Sequence, residues 1–206
     1  MPFEEVCIME RTWDRIKTVA KKNNGFIKTA QVEEIGISRP MIKRQVDAGN
    51  LVPVCKGLYV LANEIADEYA LLQARSKYVV FSHGTALFLW GLSDRTPHTY
   101  DITLPRGTNV TLLKRDNPNL RCHHVQKVVY DLGITEVKSP QGATVRVYDK
   151  ERCICDLIRD KNQIDLQIYS QALKDYFKTK PNIRKLLKYG KFFGIKEKII
   201  TYIEVL

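Results

Sequence analysis

The stretch from Gly25 to Leu61, GFIKTAQVEEIGISRPMIKRQVDAGNLVPVCKGLYVL, carries the signals of two short helices, a tight turn between them and a β-ribbon after them. The first helix spans about Ala30 to Ile35 and buries Ala30, Val32 or the stem of Glu33, and Ile35. Thr29 is placed to cap it by accepting backbone N–H bonds, and Gly36 stops it. Gly36-Ile37-Ser38 then offers a glycine for positive φ, an apolar plug and a serine N-cap. A second helix follows from about Arg39 to Ala48, with Pro40 in the first turn, where a missing N–H costs little. On a 100° wheel Ile42 and Val46 share the inward face, which leaves Arg39, Pro40, Lys43, Arg44 and Asp47 outward or N-terminal. Leu51 to Val54 and Leu58 to Leu61 read as ribbon strands with Lys56-Gly57 at the tip. This is the layout of a winged helix-turn-helix, in which the second helix presents such side chains to base edges in the major groove.

Working outward, Trp13, Ile16, Val19 and Ala20 recur at helical spacing from Thr12 to Lys22, and Asn23-Asn24-Gly25 ends that helix. Glu64 to Arg75 reads as a linking helix with Ile65, Tyr69 and Leu72 on one face. Strand signals then recur at Tyr78 to Phe81, Tyr100 to Leu104, Leu120 to Val125, Val128 to Tyr130, Ile134 to Lys138 and Thr144 to Tyr148. An apolar helix, Gly84 to Trp90, lies among them with Ser82 as its cap. After Asp149 the pattern is helical: Lys150 to Arg159, Leu166 to Phe177, and two shorter basic helices. The expected fold class is therefore α+β, with a winged helix over residues 1–62 and a mixed sheet with packed helices over residues 63–206.

The 206 residues carry 33 Lys/Arg against 23 Asp/Glu, a net charge of +10, so polyanions are the expected partners, nucleic acid first. The excess is uneven. Residues 1–60 hold 10 basic against 7 acidic side chains, residues 61–137 hold 8 against 8, and residues 138–206 hold 15 against 8. Lys174, Lys178, Lys180, Arg184, Lys185 and Lys188 belong to that C-terminal excess. They form either a solvated helical face or a second electrostatic surface. No apolar run approaches the ~18 residues of a membrane span. The acidic, interrupted N-terminus reads as no signal peptide, and the odd count of five cysteines fits free thiols in a reducing cytoplasm.

Chemistry-bearing patterns are weak. Cys153 and Cys155 on a helix point to opposite sides, and adjacent His123 and His124 on a strand do the same, which argues against a shared metal ion. Ser82-His83 reads as a cap and a satisfied polar residue. Asp156 and Asp160 lie among Arg152, Arg159 and Lys161, so Arg152 with Asp156 at i, i+4 reads as an ion pair. No phosphate-cradling glycine loop is present. Neither a metal nor another cofactor is expected, and the chain does not read as an enzyme.

Gly36-Ile37-Ser38-Arg39-Pro40, Ala48-Gly49-Asn50-Leu51 and Gly57-Leu58-Tyr59-Val60 together resemble the N-terminal domain of AbiEi-type antitoxins of bacterial abortive-infection systems. Downstream, Ser82 to Leu87, Gly91 to Asp94, Thr103 to Gly107 and Tyr148 to Leu157 extend the resemblance. It implies a transcriptional autorepressor that binds its own promoter through the winged helix. It further implies a C-terminal domain that counters a nucleotidyltransferase-like toxin, in the type IV manner, without a stable complex. The DNA-contacting set expected on this reading is Thr29, Ser38, Arg39, Pro40, Lys43, Arg44, Lys56 and Tyr59. Two rival readings are an enzyme acting on nucleic acid with the winged helix as targeting arm, and an adaptor that uses the winged helix for protein contact.

Overall fold

In a computed structural model, which describes residues 2–205 and the side chains of residues 10–205, the chain divides into two compact units, Met1–Arg75 and Ser76–Leu206. The first unit opens with α1 (Pro2–Lys22), which begins well before the expected Thr12. Then come β1 (Phe26–Lys28), α2 (Thr29–Glu34), α3 (Arg39–Asp47), β2 (Leu51–Cys55), β3 (Leu58–Leu61) and α4 (Glu68–Ala74). The strands form one antiparallel sheet in the order β1-β3-β2. Phe26 pairs with Val60 and Leu51 with Leu61. A cluster of Ile16, Ala20, Ile27, Val32, Ile37, Ile42, Leu51 and Leu61 ties α1, α2, α3 and the ribbon together. Each such aliphatic side chain contributes about 1.5–3 kcal/mol when fully buried.

The helix starts differ from expectation. Thr29 is the first residue of α2 rather than its cap, and its N–H donates to the Gly57 carbonyl at 2.9 Å. The turn into α2 is held instead by Gln31, whose Oε1 accepts the Lys28 N–H at 2.9 Å. Ser38 does occupy the cap position of α3, but only its carbonyl serves there, accepting from Met41 and Ile42. Ala30 is exposed, because α2 is too short to bury more than the row through Val32 and Ile35. Arg15 of α1 donates to the Ile35 carbonyl and so satisfies an orphan acceptor at the end of α2. Ile65 is 89% exposed and lies outside α4, which starts only where Asp67 accepts the Ala70 N–H at 2.9 Å.

The second unit carries β4 (Val80–Phe81), α5 (His83–Leu89), β5 (Tyr100–Pro105), α6 (Thr111–Asp116), β6 (Leu120–Val125), α7 (Lys127–Tyr130), β7 (Ile134–Lys138) and β8 (Thr144–Tyr148). The helices α8 (Lys150–Arg159), α9 (Leu166–Lys178), α10 (Ile183–Phe192) and α11 (Lys196–Val205) follow. Its sheet runs β6-β5-β4-β8-β7 and is mixed: β5/β6 and β4/β8 are parallel, β4/β5 and β7/β8 antiparallel. The expected strand at Val128–Tyr130 is instead the helical turn α7. Tertiary contacts override the β propensity of Val-Val-Tyr there: the Tyr130 hydroxyl donates to the Tyr78 carbonyl at 3.0 Å, and the Tyr148 hydroxyl to the Tyr130 carbonyl at 2.9 Å.

The expected Arg152–Asp156 ion pair is present, Nε to Oδ2 at 2.9 Å with both side chains 1% exposed. The Arg152 guanidinium also lies 4.5 Å from the ring centres of Tyr148 and Phe193 and donates to the carbonyls of Val129 and Leu132. The Cys153 thiol contacts the Tyr148 carbonyl and the Cys155 thiol that of Leu186, so the two diverge. Burial raises the pKa of Cys155 to about 12, against the smaller opposing influence of Arg152. Cys55, Cys122, Cys153 and Cys155 are free thiols, and Cys7 lies outside the described side chains. Among the described residues, no helix is long and apolar enough to cross a membrane.

Candidate nucleic-acid interface

The helix pair α2 and α3 is set by its turn. Gly36 takes φ +74°, a conformation that a side-chain-bearing residue adopts only at a cost, and the Ile37 N–H donates to the Val32 carbonyl at 3.1 Å. Ile37 plugs the angle between the helices, as its place between glycine and serine suggests. Below α3, Ile42 and Gln45 are fully buried and Val46 partly so. Gln45 escaped notice in the sequence because it is polar, although its wheel position beside Ile42 was visible. It accepts the Asn50 side-chain amide at 2.8 Å while the Asn50 N–H donates to the Gln45 carbonyl, which fixes the turn from α3 into β2.

The outward face of α3 carries the predicted cations in unequal states. Lys43 and Arg44 are exposed, and among the described residues neither meets a carboxylate; Arg44 touches only the sulfur of Met41, at 3.9 Å. Arg39 is also exposed, but its Nε donates to Glu33 Oε1 on α2 at 2.7 Å. That bond and the carboxylate charge raise the pKa of Arg39. Pro40 stands exposed in the first turn, and the Ser38 hydroxyl, spared from capping, has no partner among the described residues.

The ribbon turns at Lys56-Gly57, with Gly57 at φ +76°, and Lys56 is exposed at the tip. A bulge between Pro53 and Cys55 bends β2 just before this turn. Tyr59 pairs with both Ile27 and Pro53 across the sheet and packs partly against the apolar cluster. Thr29 is half-buried, its hydroxyl 3.4 Å from where a Cβ on Gly57 would sit. Thr29 therefore braces the ribbon tip, whereas Ser38, Pro40, Lys43 and Arg44 are exposed from the cap of α3 to its last turn.

Residues 14–62 match the family model described as transcriptional regulator, AbiEi antitoxin. The match spans the C-terminal part of α1, β1, α2, α3 and the ribbon, and does not reach the downstream segments of the resemblance. The chain is similar to the crystal structure of the RV2827C protein from Mycobacterium tuberculosis, with a TM-score of 0.60 at 16% sequence identity, over 87% of this chain and 71% of that one. At that identity the likeness concerns the fold alone. No curated protein matches the chain in sequence.

The C-terminal basic set divides as well. Lys174, Lys178, Lys180, Arg184 and Lys188 are exposed. Lys185 is not part of a free surface: its ammonium lies 2.9 Å from Asp149 and 3.4 Å from Glu151. There it ties α10 to the start of α8, where Asp149 is the N-cap and also accepts from the Tyr189 hydroxyl at 3.0 Å.

Proposed function

We propose that the protein is an antitoxin that also represses its own promoter, reading double-stranded DNA with the outward face of α3 and steadying itself on phosphate through Lys56. The observation that carries this reading is the pair Lys43 and Arg44, exposed and without acidic partners on a helix whose other face is clamped by the apolar cluster. The segment that holds them is the one that matches the regulator family. Guanidinium and ammonium groups so placed bond guanine edges or neutralise phosphate. The C-terminal unit is assigned the antitoxin role, against a nucleotidyltransferase-like toxin in the cytoplasm, in defence against phage. It acts by binding rather than by catalysis.

The test is an electrophoretic shift with the DNA upstream of the gene, measured across a salt series. Lys43→Ala and Arg44→Ala are each expected to cost about 1–3 kcal/mol if they contact bases, or to lower the salt slope by about 1 if they contact phosphate. Arg39→Ala is expected to cost less, because Glu33 already engages that guanidinium. Unchanged affinity and unchanged slope in the Lys43, Arg44 double variant would sink the assignment.

A further inference from the structure

The C-terminal unit encloses a cavity of about 300 Å³ that the reading above leaves without a role. Strand periodicity builds its floor. In the β5/β6 register Asp101 lies beside Arg121 and Thr103 beside His123, and residues two apart on a strand share a face. His123 Nε2 bonds Asp101 Oδ1 at 2.9 Å, and Arg121 reaches the same oxygen at 3.6 Å. His83 comes from the start of α5 and stacks on His123, ring centres 3.8 Å apart. Its Nε2 bonds Asp160 at 3.2 Å and its Nδ1 bonds the Ser82 hydroxyl at 3.0 Å, which in turn accepts from Thr103 at 2.9 Å.

His83 holds this place at φ +46°, a backbone conformation disfavoured for a residue with a side chain. Gly84 lies close beside it: a Cβ there would stand 3.2 Å from Asp101 Oδ2, a tight approach that the carboxylate would have to yield to.

Counting donors and acceptors shows what the cavity lacks. Its three carboxylates are already engaged: Asp101 by His123 and Arg121, Asp160 by His83 and Arg159, and Asp165 by the N–H groups of Gln167 and Ile168. The cations keep donors in hand. Arg121 makes only its long contact to Asp101, and Arg95 touches Asp165 at 3.6 Å and Gln167, out of five N–H donors each. His123 Nδ1 is open among the described residues. The rest of the wall includes Leu87, Pro97, Ile164 and Ile168. The surplus is thus of donors, on two guanidiniums from separate elements, above an apolar wall.

We propose that this cavity binds a phosphate monoester, its phosphate held by Arg121 and Arg95 with a third oxygen beside His123 Nδ1, and its organic part against Leu87, Pro97, Ile164 and Ile168. Three terminal oxygens suit three separately placed partners better than the two of a carboxylate. A cavity of this size admits a ligand of about nucleoside size. The phosphate comes either from a free monoester or from the 5′ end of a nucleic-acid strand.

The experiment is calorimetric titration of the full chain with adenosine 5′-monophosphate, adenosine, and a short oligonucleotide with and without a 5′-phosphate. Saturable binding of the monophosphate but not of adenosine, weakened at least about tenfold by Arg121→Gln or Arg95→Gln and untouched by Lys43→Ala, is the expected result. Binding of the oligonucleotide that needs both its 5′-phosphate and Arg121 identifies the strand end as the source. Both arginines are more than half exposed, so their replacement leaves the fold in place. No saturable binding of either phosphate by about 10 mM, or equal binding by the glutamine variants, overturns the proposal. Because Lys43 is varied separately, failure here is distinguishable from failure of promoter binding.

Discussion

Among the described residues, Lys43 and Arg44 on α3 stand outward and free of carboxylates, on a small unit held by a cluster of aliphatic side chains. In the other unit Arg152 is sunk among Tyr148, Phe193 and Asp156 with its N–H groups occupied, and Lys185 is drawn into Asp149 and Glu151. A basic side chain thus serves the fold at Arg152 and Lys185 and is available to a partner at Lys43 and Arg44. Net charge alone, largest toward the C-terminus, does not tell committed cations from uncommitted ones: Lys185 is paired there, whereas Lys174, Lys180, Arg184 and Lys188 stand exposed. Partner lists decide it, since a charge already paired has less to offer an incoming phosphate.

The strongest way to break the comparison is Arg152→Ala. It leaves Asp156 buried and deprived of its closest partner, opens the space between two aromatic rings, and orphans the carbonyls of Val129 and Leu132. Removal of one member of a buried pair costs about 3–5 kcal/mol, and urea unfolding monitored in the C-terminal unit should show a loss of that size. A loss under about 1 kcal/mol would place Arg152 with the dispensable surface charges.

A smaller effect is expected in the N-terminal unit from Gly57→Ala. At φ +76° an alanine is strained by about 1 kcal/mol or somewhat more, while its Cβ would meet the Thr29 hydroxyl only in ordinary contact at 3.4 Å. Thermal unfolding reads the loss. The same variant should weaken promoter binding without changing the salt slope, because it shifts the position of Lys56 and removes no charge.

Much of this architecture was legible because the signals were local. Asp149 ahead of Lys150, the Gly36-Ile37-Ser38 turn and the alternation in Leu120–Val125 each fix an element from neighbouring residues alone. Val128–Tyr130 misled because three residues of β-prone character were recruited by Tyr78 and Tyr148, farther away in sequence. The cavity was illegible for the same reason. His83 meets Asp160 across 77 residues and His123 meets Asp101 across 22, and nothing in either neighbourhood announces the partner. Ser82-His83 was correctly read as satisfied, yet the partner of Ser82 is Thr103 and the His83 ring, not the backbone of α5.

The smallest effect separates the two regions by pH. Burial acts to raise the pKa of Asp160, but hydrogen bonds from His83 and Arg159 outweigh it and hold the carboxyl at about 2, below its ordinary 3.8. A carboxyl depressed in the folded state contributes stability that is fully present above the unfolded pKa and is lost as pH falls through the folded one. For Asp160 that window lies between about 4 and 2. Solvent reaches the side chain, so the contribution is screened. The informative measurement is a difference: urea midpoints of the wild type and of Asp160→Asn compared at pH 5, 4 and 3. The gap between the two proteins should narrow as pH falls, because protonation of the wild type removes what the substitution already lacks. A gap that stays constant would mean that His83 is held by the stack on His123 and the Ser82 hydroxyl, with the Asp160 charge irrelevant to the fold.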